Sequence, residues 1–291
     1  MKILLGLLPA LIWGFTPVWA NRCGGKPIQQ LVGTTYGAFL AAVLVMIIKR
    51  PPITMADFGW NALAGAAWSF GQLMWYSAFP VLGVAVTNPI ASGIQLIGVN
   101  LVGVAFFGSW PSSTAKLLGG LAILLILGGV YLTSRTGKSR AIKDRRAFLK
   151  SLFWLLVGSG FGFVSCSTLP KIPKTSGWSA YPPQALGMVL AAIVFALLIN
   201  RHRIKSLLFG KITLKNIVTG VNSGTGTLCY LISLMINGVS TGFTLSQMAV
   251  VVSTFNGIVI LHEHKTKRQM IYTLSGLALV VVGGIITGLL E

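Results

Sequence analysis

Asn88, Ser92 and Gln95 fall at i, i+4 and i+7 within the apolar stretch VAVTNPIASGIQLIGVN, so a helix would carry an amide, a hydroxyl and a second amide on one face. Trp68, Gln72 and Trp75 form a similar stripe in the preceding apolar segment. Asn222, Thr225 and Cys229, then Ser240, Gln247 and Thr254, do so in two later segments, and Trp13 joins the candidates from the first. Amides present donors and acceptors side by side, which suits the adjacent hydroxyls of a polyol, and an indole offers a flat apolar face to its C–H surface. The chemistry is that of holding a small neutral sugar. The same side chains also suit hydrogen bonds between helices in lipid, worth about 0.6 kcal/mol each. Pro89 removes a backbone hydrogen bond beside Asn88, and a carbonyl freed in this way must face protein or a watery cavity.

The elements that must position these residues are set by composition. The 291 residues are 54% hydrophobic and only 9% charged, with a mean hydropathy of +0.80, which is far more apolar surface than a soluble core of this length hides. Apolar segments of membrane-crossing length are expected at about 3–20, 29–48, 58–80, 83–108, 115–133, 151–169, 181–200, 215–237, 239–262 and 270–289. The expected fold class is therefore an all-α integral membrane protein with ten transmembrane helices.

The second half repeats the first. Lys150 to Phe163 follows the layout of Lys2 to Phe15, Asn61-Ala62-Leu63-Ala64-Gly65 faces Asn216-Ile217-Val218-Thr219-Gly220, and Gly120-Leu121-Ala122 faces Gly276-Leu277-Ala278. This recurrence argues against a cleaved leader at the N-terminus, because such a leader has no reason to recur mid-chain. Residues 1–133 and 151–291 are thus expected to be five-helix repeats, inverted because five is odd, with residues 134–150 as the basic hinge loop between them. Asn100 and Asn256 occupy matching places in the two repeats. They are expected to act as a gate, each closing one mouth of a central cavity.

The charges assign sides. If ten spans alternate, seventeen of the 23 Lys and Arg residues, including seven in the hinge, fall on one side, which becomes the cytoplasmic side. Both termini are then outside. The net charge of +19 is explained by these links, so no nucleic-acid partner is expected. The four acids, Asp57, Asp144, Glu263 and Glu291, lie at segment ends, in the hinge or at the terminus, which argues against a mid-membrane cation pathway. The spacing of the three cysteines and three histidines suggests no metal site and no disulfide framework, and no catalytic constellation is present. No cofactor is expected.

The segment WGFTPVWA with KPIQQ (Trp13 to Ala20, Lys26 to Gln30), together with the duplicated ten-span layout, resembles the drug/metabolite transporter superfamily, specifically its bacterial glucose/ribose uptake branch. The resemblance runs over the whole chain. It implies a plasma-membrane carrier for a small neutral sugar, working by alternating access and coupled to protons. Glu263, the acid nearest a span on the cytoplasmic side, is then the candidate for proton coupling. An exporter of amino acids or other small metabolites or drugs on the same fold is the alternative.

Overall fold

The computed structural model describes residues 2–135, 145–175, 177–237, 242 and 245–290, and every regular element among them is helical. In chain order these are α1 (Lys2–Gly14), α2 (Thr16–Cys23), α3 (Pro27–Lys49), α4 (Met55–Leu82), α5 (Val84–Phe106) and α6 (Ser113–Arg135). After the hinge, α7 (Arg145–Val157) runs through a π-helical turn (Gly158–Phe163) into α8 (Val164–Thr168) and a 3-10 turn (Leu169–Lys171). Then come α9 (Gly177–Asn200), the short α10 (Ile204–Phe209) and α11 (Lys211–Lys215), α12 (Ile217–Asn237), α13 (Ala249–Val259) and α14 (Lys267–Leu289).

Among the described residues, eight helices are long and apolar enough to cross a membrane. The third expected span forms α4, 28 residues long, which is not one of the eight. Its Trp, Gln, Asn and Ser content lowers its hydropathy, and Asn61, Ser69 and Gln72 are buried. The ninth expected span is a shorter apolar helix, Leu245–Val259. The hinge is narrower than expected: Ser134 and Arg135 end α6 and Arg145–Lys150 open α7, while residues 136–144, with Asp144, lie outside the described residues, as do Ser240 and Glu291. Large apolar side chains on the outside of the bundle stay exposed, Ile48 at 71% and Leu198 at 77% among them, as lipid-facing positions would.

Small residues let the backbones touch. α4 crosses α9 where Gly65 meets the Gln184 carbonyl and Gly187 meets that of Ala62, and a Cβ at either glycine would collide with backbone. α3 crosses α12 in the same manner, with Gly37 against the Ile217 carbonyl and Gly220 against that of Thr34. Above each crossing sits a fully buried asparagine. Asn61 donates to the Asp57 carbonyl, four residues back (2.6 Å), and to Thr175 Oγ1 (3.2 Å). Asn216 donates to the Ile212 carbonyl, also four residues back (2.9 Å), and to the Gly24 carbonyl (3.1 Å).

These bonds sort the links to two ends of the bundle. At one end the Thr175 hydroxyl reaches Asp57, and Lys171 lies over the Phe107 ring. At the other, Gly24 meets Asn216, and Glu263 meets the start of α5.

Candidate functional site

A cavity of about 450 Å³ lies between the helices, within the ~300–1,000 Å³ range of small-molecule sites. Along α5 its wall extends from Asn88 to Val99, about 16 Å at 1.5 Å per residue. It reaches the end of the bundle that carries Pro170 and Lys171. Among the described residues no carboxylate lines it, and Lys171 is its one charged lining residue.

Two expected stripes are brought together here. α4 supplies Trp68, Gln72 and Trp75, and α5 supplies Asn88, Ser92 and Gln95. Trp75 is held by Phe79 and Tyr76, ring centroids 4.4 Å and 5.4 Å away. Across the cavity Trp13 lies 5.5 Å from the Tyr230 ring and donates from its indole to the Ser223 carbonyl (3.0 Å). Indoles from α1 and α4 thus both line the cavity, and such rings can stack on an apolar C–H surface. Gln247 also lines it.

Of the expected stripe residues, Asn222, Thr225, Cys229 and Thr254 do not. Asn222 turns away to donate to the Ile12 carbonyl (2.8 Å) and Thr16 Oγ1 (3.1 Å), and Thr254 is buried beside the cavity with its hydroxyl unpartnered. The lining face of α12 is instead Ser223, Thr227 and Tyr230, which keeps the i, i+4, i+7 spacing in a different register. The same spacing recurs at Ser246, Val250 and Ser253, and at Phe163, Ser167 and Pro170, faces that sequence reasoning missed. Gln184 of α9 was missed as well; its amide donates to Cys166 Sγ (2.9 Å).

The expected gate does not form a matched pair. Asn100 donates to the Leu96 carbonyl of its own helix (2.7 Å), whereas Asn256 donates across to the Gly14 carbonyl of α1 (3.0 Å). The difference has a local cause. Pro17, in the first turn of α2, breaks the helix at Phe15, and carbonyls at the break need partners. Asn222 and Asn256 supply them at Ile12 and Gly14. Both amides therefore brace a broken helix.

Glu263 closes the end opposite Lys171. Its two carboxylate oxygens accept hydrogen bonds from the first two backbone N–H groups of α5, those of Val84 and Ala85, the latter at 3.0 Å. A carboxylate there also complements the positive end of the helix dipole. Gly83, at φ +80°, makes room: a Cβ would sit 3.0 Å from both carboxylate oxygens. The chain returns from α13 with Glu263 N–H on the Gly257 carbonyl (3.2 Å), and Gly257 itself packs on the Ala85 backbone. Burial holds the neighbouring Lys265 amine below its usual range, with Glu263 pulling the other way.

Among the cavity amides, Gln95 donates to Ser167 Oγ (3.1 Å), which itself donates to the Phe163 carbonyl (2.9 Å). Asn88 differs: it is 3% exposed, and neither its amide oxygen nor its nitrogen has a protein partner. An unsatisfied buried group costs ~1–3 kcal/mol, so this one calls for an explanation.

The model of the sugar transport protein family matches residues 4–290. A Listeria monocytogenes protein with a provisional sugar-uptake name is 38% identical over 99% of both chains. The glucose uptake protein GlcU of Bacillus subtilis is 36% identical over 99% of this chain and 98% of its own. A protein of known crystal structure shares the fold at 16% identity, with a TM-score of 0.61 over 99% of this chain and 96% of that one. The chain belongs to the sugar transport protein family.

Proposed function

We propose that the chain is a plasma-membrane sugar uptake transporter that binds a small neutral sugar of the glucose or ribose type in the central cavity. The observation that carries this reading is the cavity's chemistry: amides, hydroxyls and indoles, without a carboxylate among the described lining residues. A zwitterionic or anionic cargo would call for a buried counter-charge, and the lone Lys171 sits at the exposed end. The names of the relatives point the same way.

The transport cycle is alternating access on ten spans, α4 and the Leu245–Val259 helix included, arranged as two inverted repeats of the kind seen in the drug/metabolite transporter superfamily. The paired crossings support the repeats: α4 on α9 and α3 on α12 exchange under a shift of about five spans, as do Asn61 and Asn216 with their matching bonds. The charge distribution supports a cytoplasmic hinge and Glu263 end, with both termini outside. The described conformation is then outward-facing, with the Glu263 clasp as its inner closure. Inward opening requires the clasp to release.

Proton coupling is the remaining part of the proposal. One proton per sugar would supply about 2.3 kcal/mol per 100 mV. Glu263 is the candidate carrier, because protonation would remove the charge that holds α5. Glu263→Gln should abolish accumulation and spare exchange; full proton-driven accumulation in that variant removes Glu263 from the coupling.

Counterflow with purified protein in liposomes tests the function itself. Labelled glucose should enter against internal unlabelled glucose, and ribose or rhamnose should compete if the cavity accepts them. Absence of counterflow with all three, alongside efflux of amino acids or drugs, would favour the exporter.

A further inference from the structure

Asn88 stands apart from the other buried asparagines of the bundle. Asn61, Asn100 and Asn216 each turn back onto the carbonyl four residues earlier in their own helix, and Asn256 reaches the Gly14 carbonyl. Asn88 does neither, although it too has a carbonyl four residues earlier, at Val84. Among the described residues it is the one side-chain amide with both polar atoms buried and unpartnered. It forms part of the cavity wall, one turn above the point where Glu263 holds α5 and one turn below Ser92.

We propose that Asn88 is the specificity-determining anchor of the cavity, and that it takes a vicinal diol of the sugar in bidentate fashion. One hydroxyl donates to Oδ1 and its neighbour accepts from Nδ2, which satisfies both atoms at once. A site with a buried donor and acceptor rejects a ligand lacking either hydroxyl, since one protein atom is then left unpaired. The inference rests on the sugar reading above and adds to it which atoms of the sugar are recognised.

The test is competition by D-glucose and its monodeoxy analogues against labelled glucose in counterflow, using the full chain in liposomes. The wild type should show weaker competition, by roughly 5- to 150-fold, from two analogues deoxygenated at adjacent carbons. Asn88→Leu should bind glucose more weakly and treat those two analogues like the parent sugar, leaving discrimination at other carbons intact. Asn88→Ala removes the same two polar atoms without adding bulk; it should lose the same discrimination, and it serves if the leucine variant fails to fold. An unchanged analogue profile in either variant overturns the anchor, as does loss of discrimination at non-adjacent carbons. Failure of the wild type to bind any of these sugars would instead overturn the sugar reading, and the anchor with it.

Discussion

The two ends of the cavity are built from different materials. At the Lys171 end the lining side chains come from α8 and its 3-10 extension and from the segment before α13, with neutral hydrogen bonds such as Gln95 to Ser167 and Gln184 to Cys166. At the Glu263 end, one carboxylate on two helix N–H groups, a glycine against a helix backbone and an amide on a broken helix draw α1, α5 and α13 together. Closure at this end is thus concentrated in few polar contacts, each removable by a single substitution. That is the property a gate needs, because a wholly apolar seal would spread the same free energy over many small contacts.

The largest effect on this contrast should come from Glu263→Ala. Two hydrogen bonds to a charged group are lost, at ~1.5–3 kcal/mol each. A reporter cysteine at Ala85 should then become reachable from the Glu263 side, with transport reduced roughly 10- to 150-fold. Gly83→Ala attacks the same clasp from the other partner, through both positive φ and contact with the carboxylate, and should shift accessibility the same way by a smaller factor. If Gly83→Ala leaves accessibility unchanged while Glu263→Ala alters it, Glu263 acts by charge alone.

Asn256→Ala and Asn222→Ala should each cost ~0.6–1.7 kcal/mol of stability, read as a lower melting temperature in detergent, because each removes an interhelical hydrogen bond at the Phe15 break. Neither should change which sugars compete. The smallest effect belongs to Lys171→Ala, which should alter uptake of a neutral sugar less than about twofold, since an exposed charge contributes little. A larger loss would point to an anionic cargo.

The stripes on α4 and α5 were legible because their polar residues stand alone among apolar neighbours, so the helical spacing selects one face. In VNSGTGTLC of α12, polar and small residues occupy every face, and the choice of Asn222 over Ser223 set the register wrongly. The roles of Asn222 and Asn256 were hidden for another reason. Their partners lie more than 200 positions away, at a break whose exposed carbonyls no side-chain pattern reveals. The break itself is marked by Pro17, yet Pro89 looked the better candidate because it lies beside polar side chains; α5 continues through Pro89. The fold's helices were legible from apolar length, α4 among them at 58–80, although its polar side chains keep it out of the eight helices apolar enough to cross a membrane.

The account is tested most directly at Gln247, which lines the cavity without belonging to the clasp or to the Asn88 wall. With Cys23, Cys166 and Cys229 replaced by serine and Gln247→Cys introduced, a membrane-impermeant thiol reagent should react in intact cells, and glucose should slow that reaction. A rate that glucose leaves unchanged, or reaction only from the cytoplasmic side of inverted vesicles, would contradict an outward-facing sugar cavity.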